Sequence, residues 1–199
     1  MSPRLALIGP AAAGKSTVGE RVAQHFDCQF IDLDEVADSF YAEVGWSIER
    51  LADEAAKIGR YEAEIAWEPA RIHAVRRAMD SYDGAILALG AGHTSYTSPS
   101  RQRDIASLLD RVPHVVYVEP FPDRTESLRE LRRRSLHSKG TKWISGGHDF
   151  LAEWLSDPHM RTLADHGVYT DSASVQDLAD EIASLAMGAR SRHEKTRNT

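Results

Sequence analysis

An α/β fold, a parallel sheet with helices on both faces, is what the sequence predicts, on three observations. Short apolar runs alternate with amphipathic stretches along most of the 199 residues. The runs are unbroken, not polar at every second position, as in strands buried on both faces. A glycine-rich loop joins the first run to the first amphipathic stretch. Right-handed crossovers between parallel strands follow from that order.

The elements can be justified in turn. LALIG at 5–9 is an apolar run ended by glycine, and residues 15–26 place Val18, Val22 and Phe26 at four-residue spacing, so strand, loop and helix are expected. QFIDLD at 29–34 reads as a second strand. Residues 35–56 are helix-prone, interrupted at Gly45-Trp46-Ser47, where Ser47 is placed to cap the next helix. Tyr61 to Met79 continues the helical pattern, with Pro69 expected to start a new helix or kink the old one. AILALG at 85–90 and HVVYVE at 114–119 read as buried strands flanking a helix at 101–110. GVYT at 167–170 is the last strand, followed by an amphipathic helix from Ser174 to Met187. Residues 1–187 read as one domain and residues 188–199 as a polar flexible tail.

Composition excludes several classes. An apolar fraction of 42% and a charged fraction of 27% are those of a globular chain, neither disordered nor membrane-embedded. A net charge of -6 argues against nucleic acid as a partner. No run approaches the roughly 18 apolar residues of a membrane span, so no membrane partner is expected. The single Cys28 has no internal disulfide partner and reads as a small buried hydrophobe, and a cytoplasmic location is expected.

Gly9-Pro10-Ala11-Ala12-Ala13-Gly14-Lys15-Ser16 fits G-x-x-x-x-G-K-[ST], with Thr17 next. Such a loop turns backbone amides around phosphate oxygens in front of the positive end of a helix. Lys15 is placed to hold terminal phosphates, and the Ser16 hydroxyl to coordinate magnesium. Asp32 and Asp34 stand two apart at the carboxyl end of the second strand, on the same side of an extended chain. One can reach magnesium while the other accepts a proton from an attacking hydroxyl, or either can cap the helix beginning near Glu35. Gly90-Ala91-Gly92-His93 follows another strand, where missing side chains admit a substrate to the backbone, with His93 bonding either substrate or loop.

In order and spacing, GPAAAGKST, FIDLD and the glycine turn after ILALG resemble shikimate kinases, from Arg4 to about Leu185. The resemblance implies a P-loop NTPase of the nucleoside monophosphate kinase-like type: a three-layer sandwich with a five-stranded parallel sheet in the order 2-3-1-4-5. It also implies ATP, Mg2+ and phosphoryl transfer to an alcohol of a small metabolite, with Asp32 on the metal and Asp34 on the acceptor hydroxyl. A mobile lid over about 129–150, hinged at Gly140, Gly146 and Gly147, would lend an arginine to the phosphates from Arg132, Arg133 and Arg134. Arg134 is the one expected. Arg129 and the loop after Tyr169 would flank adenine.

The departures concern the acceptor. The family's Phe-Arg-x-x-Glu segment reads Arg60-Tyr61-Glu62-Ala63-Glu64 here, moving the cation about 100° around the helix. Arg60 and Tyr61 are therefore the substrate-binding candidates at this point. Ser156 stands where a second arginine of the family comes, with Arg161 as a candidate replacement, and the usual triple glycine is Gly90-Ala91-Gly92. An acceptor other than shikimate is expected, since a bidentate carboxylate partner has no conservative substitute. Tyr41, Trp46, Tyr61 and Trp67 among Asp53, Glu54, Glu62, Glu64 and Glu68 would suit an amino- or guanidino-bearing alcohol. Shikimate kinase proper and a regulatory nucleotide-binding ATPase are the alternatives; nucleoside, gluconate and antibiotic kinases share the phosphate loop.

Overall fold

Strand β1 (Leu5–Ile8) has no exposed surface and lies at the centre of a five-stranded parallel sheet. β3 (Ile86–Ala88) pairs along one side of it and β4 (His114–Glu119) along the other, with Leu5 opposite both Ile86 and His114. β2 (Phe30–Asp32) and β7 (His166–Tyr169) form the half-buried edges, which gives the order β2-β3-β1-β4-β7. The computed structural model describes residues 2–188 apart from Ser172 and the side chain of Lys139; the expected tail lies outside the described residues from 189 onward.

This is the expected order 2-3-1-4-5, with the fifth sheet strand the seventh in the chain. A short antiparallel hairpin, β5 (Ile144–Ser145) with β6 (His148–Asp149), lies within the segment expected as a lid, where no strand was expected. Its signal was in the sequence: Gly146 and Gly147 have φ of 58° and 81°, as a two-residue hairpin turn demands.

Helices cover both faces. α1 (Lys15–His25) packs against α9 (Val175–Gly188), while α4 (Arg60–Ser81) packs against α2 (Leu33–Ala42), α3 (Ile48–Ile58) and α5 (Pro99–Leu109). Ser47 caps α3 as expected, accepting from the Arg50 amide at 3.1 Å. α4 differs from expectation, because one helix continues through Pro69. Ala63, Ala70, Ala74 and Ala78 along it have no exposed surface, so packing holds both halves across the bond that proline cannot make. After β4 come α6 (Arg124–Lys139), the hairpin, α7 (Phe150–Ser156) and α8 (Pro158–Thr162). The loops after β1 and β3 lead to opposite faces, opening a crevice at the carboxyl ends of the central strands, where such sheets hold ligands. No helix among the described residues is long and apolar enough to cross a membrane.

Candidate active site

The loop from Gly9 to Gly14 leaves β1 at the mouth of that crevice. A Cβ at Gly9 would overlap the Val118 carbonyl oxygen, so this turn is packed directly on β4. Ala12 is held at φ 62°, a left-handed conformation that costs a non-glycine residue about 1–3 kcal/mol. Gly14 precedes α1 without a side-chain cap, leaving the first amides of the helix for an anion. Lys15 is 9% exposed, and its Nζ donates to the carbonyls of Gly9 at 2.9 Å and Pro10 at 2.8 Å. Gly9 and Pro10 thus back the loop, whereas Ala11 to Thr17 line the cleft.

Ser16 Oγ donates to Asp32 Oδ2 at 2.5 Å, while Asp32 Oδ1 accepts from the amide of Asp34 at 3.0 Å. Asp32 is both the last residue of β2 and the cap of α2. This corrects the reading of an acid pair on one extended strand: capping turns the chain into a helix at Leu33, and Asp34 lies in the first turn of α2. The carboxylates still converge on one cleft. Ser16 and Asp32 supply hard oxygen donors of the kind magnesium takes. Among the described residues no group of three or more His, Cys, Asp or Glu forms a metal cage, so such an ion would depend on phosphate oxygens as well.

The cleft holds about 690 Å³ between the loop, the start of α9 and α6. Arg134 reaches it from α6: Nη1 donates to Thr170 Oγ1 at 2.8 Å, Nη2 to Asp171 at 3.0 Å and Nε to Glu130 at 2.7 Å. Glu130 also accepts from Arg133, and the two guanidiniums, Arg133 first, pull its carboxyl down to about 2. Arg134, His137 and Ser138 share one helix face and line the cleft, as does Arg133. Arg129 does not. Its side chain is 75% exposed and stands 3.9 Å from Glu126, outside the residues that line the cleft, unlike the adenine contact expected of it. Thr170, Val175 and Leu178 line the cleft instead, near the expected loop after Tyr169. Arg132 is tied to Asp149 of the hairpin.

A second cavity, of about 260 Å³, opens beside the first, and Ala11, Asp34 and Ala91 line both. Its walls are largely apolar and aromatic: Tyr41, Leu51, Trp67, Trp143 and Trp154, with Ile48 at the rim. Arg60 lines it, giving Nε and Nη2 to Glu64 at 2.8 and 2.5 Å. Tyr61 does not; its ring lies 4.3 Å from His148 and 6.5 Å from Phe150, packed under the hairpin. The register shift thus turns the aromatic away and leaves the cation at the pocket, contrary to the displacement expected from the segment. Gly90 lies behind Asp34, and Gly92 and His93 form part of the wall.

Arg71 is the main residue the sequence reading missed. It is 5% exposed, donates Nη1 to the Gly92 carbonyl at 2.5 Å and Nη2 to the Glu64 carbonyl at 3.1 Å, and lies between the rings of Trp67 and Tyr96. A lone arginine on a helix carries no signal of this, since Gly92 comes from another strand's loop. Trp143 falls within the expected lid, but nothing in the sequence marks it as a wall of this pocket.

The other candidates lie elsewhere. Ser156 is exposed and bonds back to Ala152 and Glu153. Arg161 is paired with buried Glu119 and stacked on Tyr117, and so is no substitute clamp. Burial raises Glu119 above its ordinary range even against that arginine. The acidic and aromatic set proposed for a cationic acceptor is dispersed: Trp46 packs on Arg50, Glu68 is buried among Thr97 and Arg101, and Asp53, Glu54 and Glu62 are not among the pocket walls.

A phosphate loop at the switch point of a 2-3-1-4-5 sheet, with a second pocket meeting it at one carboxylate, defines a P-loop small-molecule kinase. The shikimate kinase family profile matches residues 11–186, and the chain belongs to that family as an ATP-dependent phosphotransferase. A shikimate kinase of Shewanella frigidimarina is 28% identical over 179 residues, covering 88% of this chain and 92% of its own. Among solved structures, a shikimate kinase from Acinetobacter baumannii in complex with shikimate aligns with TM-score 0.66 and 21% identity, over 94% of this chain and 93% of that one. An APS kinase from Mycobacterium tuberculosis in complex with AMPPNP and APS has the same fold, with TM-score 0.56 and 14% identity over 94% and 99% of the two chains. Fold alone therefore leaves the acceptor open.

Proposed function

We propose that the protein transfers the γ-phosphate of ATP to a hydroxyl of a compact, ring-bearing alcohol that is not held by a carboxylate. The observation that carries this is the meeting of the phosphate-loop cleft and the aromatic pocket at Asp34. ATP would sit with its phosphates on the amides of Ala11 to Thr17 and on Lys15. Ser16 and Asp32 would hold Mg2+, which supplies charge neutralisation there. Arg134 faces the phosphates across the cleft, and Asp34 orients the acceptor hydroxyl and takes its proton. Movement of 129–150 about its glycines would exclude water.

The acceptor class rests on the balance of the second pocket. Its carboxylates, Asp34 and Glu64, are matched by Arg60 and Arg71, and both arginines already donate to protein groups. Aromatic walls suit the flat or apolar face of a ring. The names of the relatives favour the second reading, shikimate itself. A panel of acceptors assayed for Mg·ATP-dependent ADP release separates the two. Uncharged cyclic polyols should exceed shikimate by about tenfold or more in kcat/KM, equivalent to ~1.4 kcal/mol. A preference for shikimate overturns the proposed class and establishes the second reading.

A further inference from the structure

His93 has no part in the chemistry described so far, yet it is built into the site. It is 3% exposed, and its Nε2 lies 2.6 Å from the Tyr41 hydroxyl with the two rings within 5° of parallel. Its Nδ1 is buried without a hydrogen-bond partner and stands 3.4 Å from Asp34 Oδ1. A buried ring nitrogen in that condition calls for an explanation. Gly90 is what allows the approach: a Cβ there would overlap Asp34 Oδ1 and come within 2.9 Å of His93 Nδ1.

The two contacts determine which nitrogen carries hydrogen. If Nε2 held the only proton and donated to Tyr41, the lone pair of Nδ1 would face a carboxylate oxygen across 3.4 Å. If Tyr41 donates, Nε2 accepts and Nδ1–H points toward Asp34, so every contact is attractive. Burial, then the charge of Asp34, raises the Tyr41 phenol above its ordinary range, which keeps it a donor.

We propose that His93 is a positioning residue: fixed by Tyr41 as a donor at Nδ1, it orients the Asp34 carboxylate toward the acceptor hydroxyl. The Asp34 side chain is 48% exposed, so a fixed donor on its buried side narrows the rotamers it can take. The contact is long for a hydrogen bond and shortens as the acceptor draws Asp34 into line. The inference rests on Asp34 being the group that meets the acceptor.

Two measurements test it. In ¹⁵N-labelled protein without ligands, with His93 assigned by comparison with His93→Gln, Nδ1 should carry the pyrrole-type shift of a protonated nitrogen. A pyridine-type Nδ1 overturns the proposal. This readout needs no turnover, so it stands even if every acceptor fails, whereas failure of the kinase reading appears only in the acceptor panel. The second measurement uses the geometry of two amides. His93→Asn keeps a donor at the Nδ1 position, while His93→Gln keeps an acceptor at the Nε2 position for Tyr41. His93→Asn should retain kcat within about threefold and His93→Gln lose about 10–100-fold, with KM for ATP unchanged in both. Equal or better activity in His93→Gln would assign the histidine to Tyr41 packing alone. Thermal melts identify a variant that has failed to fold, and the wild-type spectrum then decides.

Discussion

The nucleotide cleft and the acceptor pocket share Asp34, Ala11 and Ala91, yet they are assembled in different ways. The first is built around one continuous segment, residues 11–18, whose backbone amides would hold the phosphates in the proposed reaction, with Asp34, Arg134 and Thr170 added from other elements. The second draws Tyr41 from α2, Leu51 from α3, Trp67 and Arg71 from α4, His93 from the turn after β3, and Trp143 and Trp154 from around the hairpin. A backbone site tolerates changes in its neighbours, while a side-chain site is remade by each one. Members of a family can therefore keep the donor half constant while the acceptor half diverges.

Asp34→Asn bears on the point where the halves meet. It should lower kcat by about 10²–10⁴-fold while Mg·ATP affinity, read by calorimetry, stays nearly unchanged. A parallel loss of ATP affinity would make the carboxylate part of the donor half. Gly9→Ala and Gly90→Ala come next and should fail differently. The first drives a Cβ into the backbone carbonyl of Val118 at φ 137° and should cost about 2–5 kcal/mol of stability in a denaturant titration. The second meets the Asp34 side chain, which can turn away, so activity should fall more than stability.

Trp143→Leu should raise the acceptor KM about tenfold and leave that for ATP within about twofold, since Trp143 lines only the second pocket. The smallest effect belongs to Glu130. Its carboxyl is lowered from its ordinary value to about 2, so the stability it lends is fully present above about pH 4.5 and disappears as pH falls through 2. Glu130→Gln should therefore melt below the wild type at pH 6, and the two melting curves should converge near pH 2.

What could be read in advance follows the same division. β1, β3 and β4 were legible because buried parallel strands are unbroken apolar runs, and the phosphate loop because its glycines and lysine are contiguous. Capping of α2 by an aspartate was one of the two expected readings; only its start at Leu33, two residues before Glu35, was hidden, because Asp32 acts as cap and strand end together. The hairpin was hidden because two-residue strands have no period, although Gly146-Gly147 marked the turn.

The sequence by itself determined the donor chemistry, since amide geometry, the reach of Lys15 and the placing of Ser16 all lie within one local segment. The tertiary structure alone decided which cations line the second pocket: Arg60 stays there, Tyr61 turns to the hairpin, and Arg71 arrives beneath Gly92. The physical reason is range. Backbone conformation is set by neighbours in the chain, whereas Arg71 and Gly92, twenty-one residues apart, meet only after the sheet has closed its crossover.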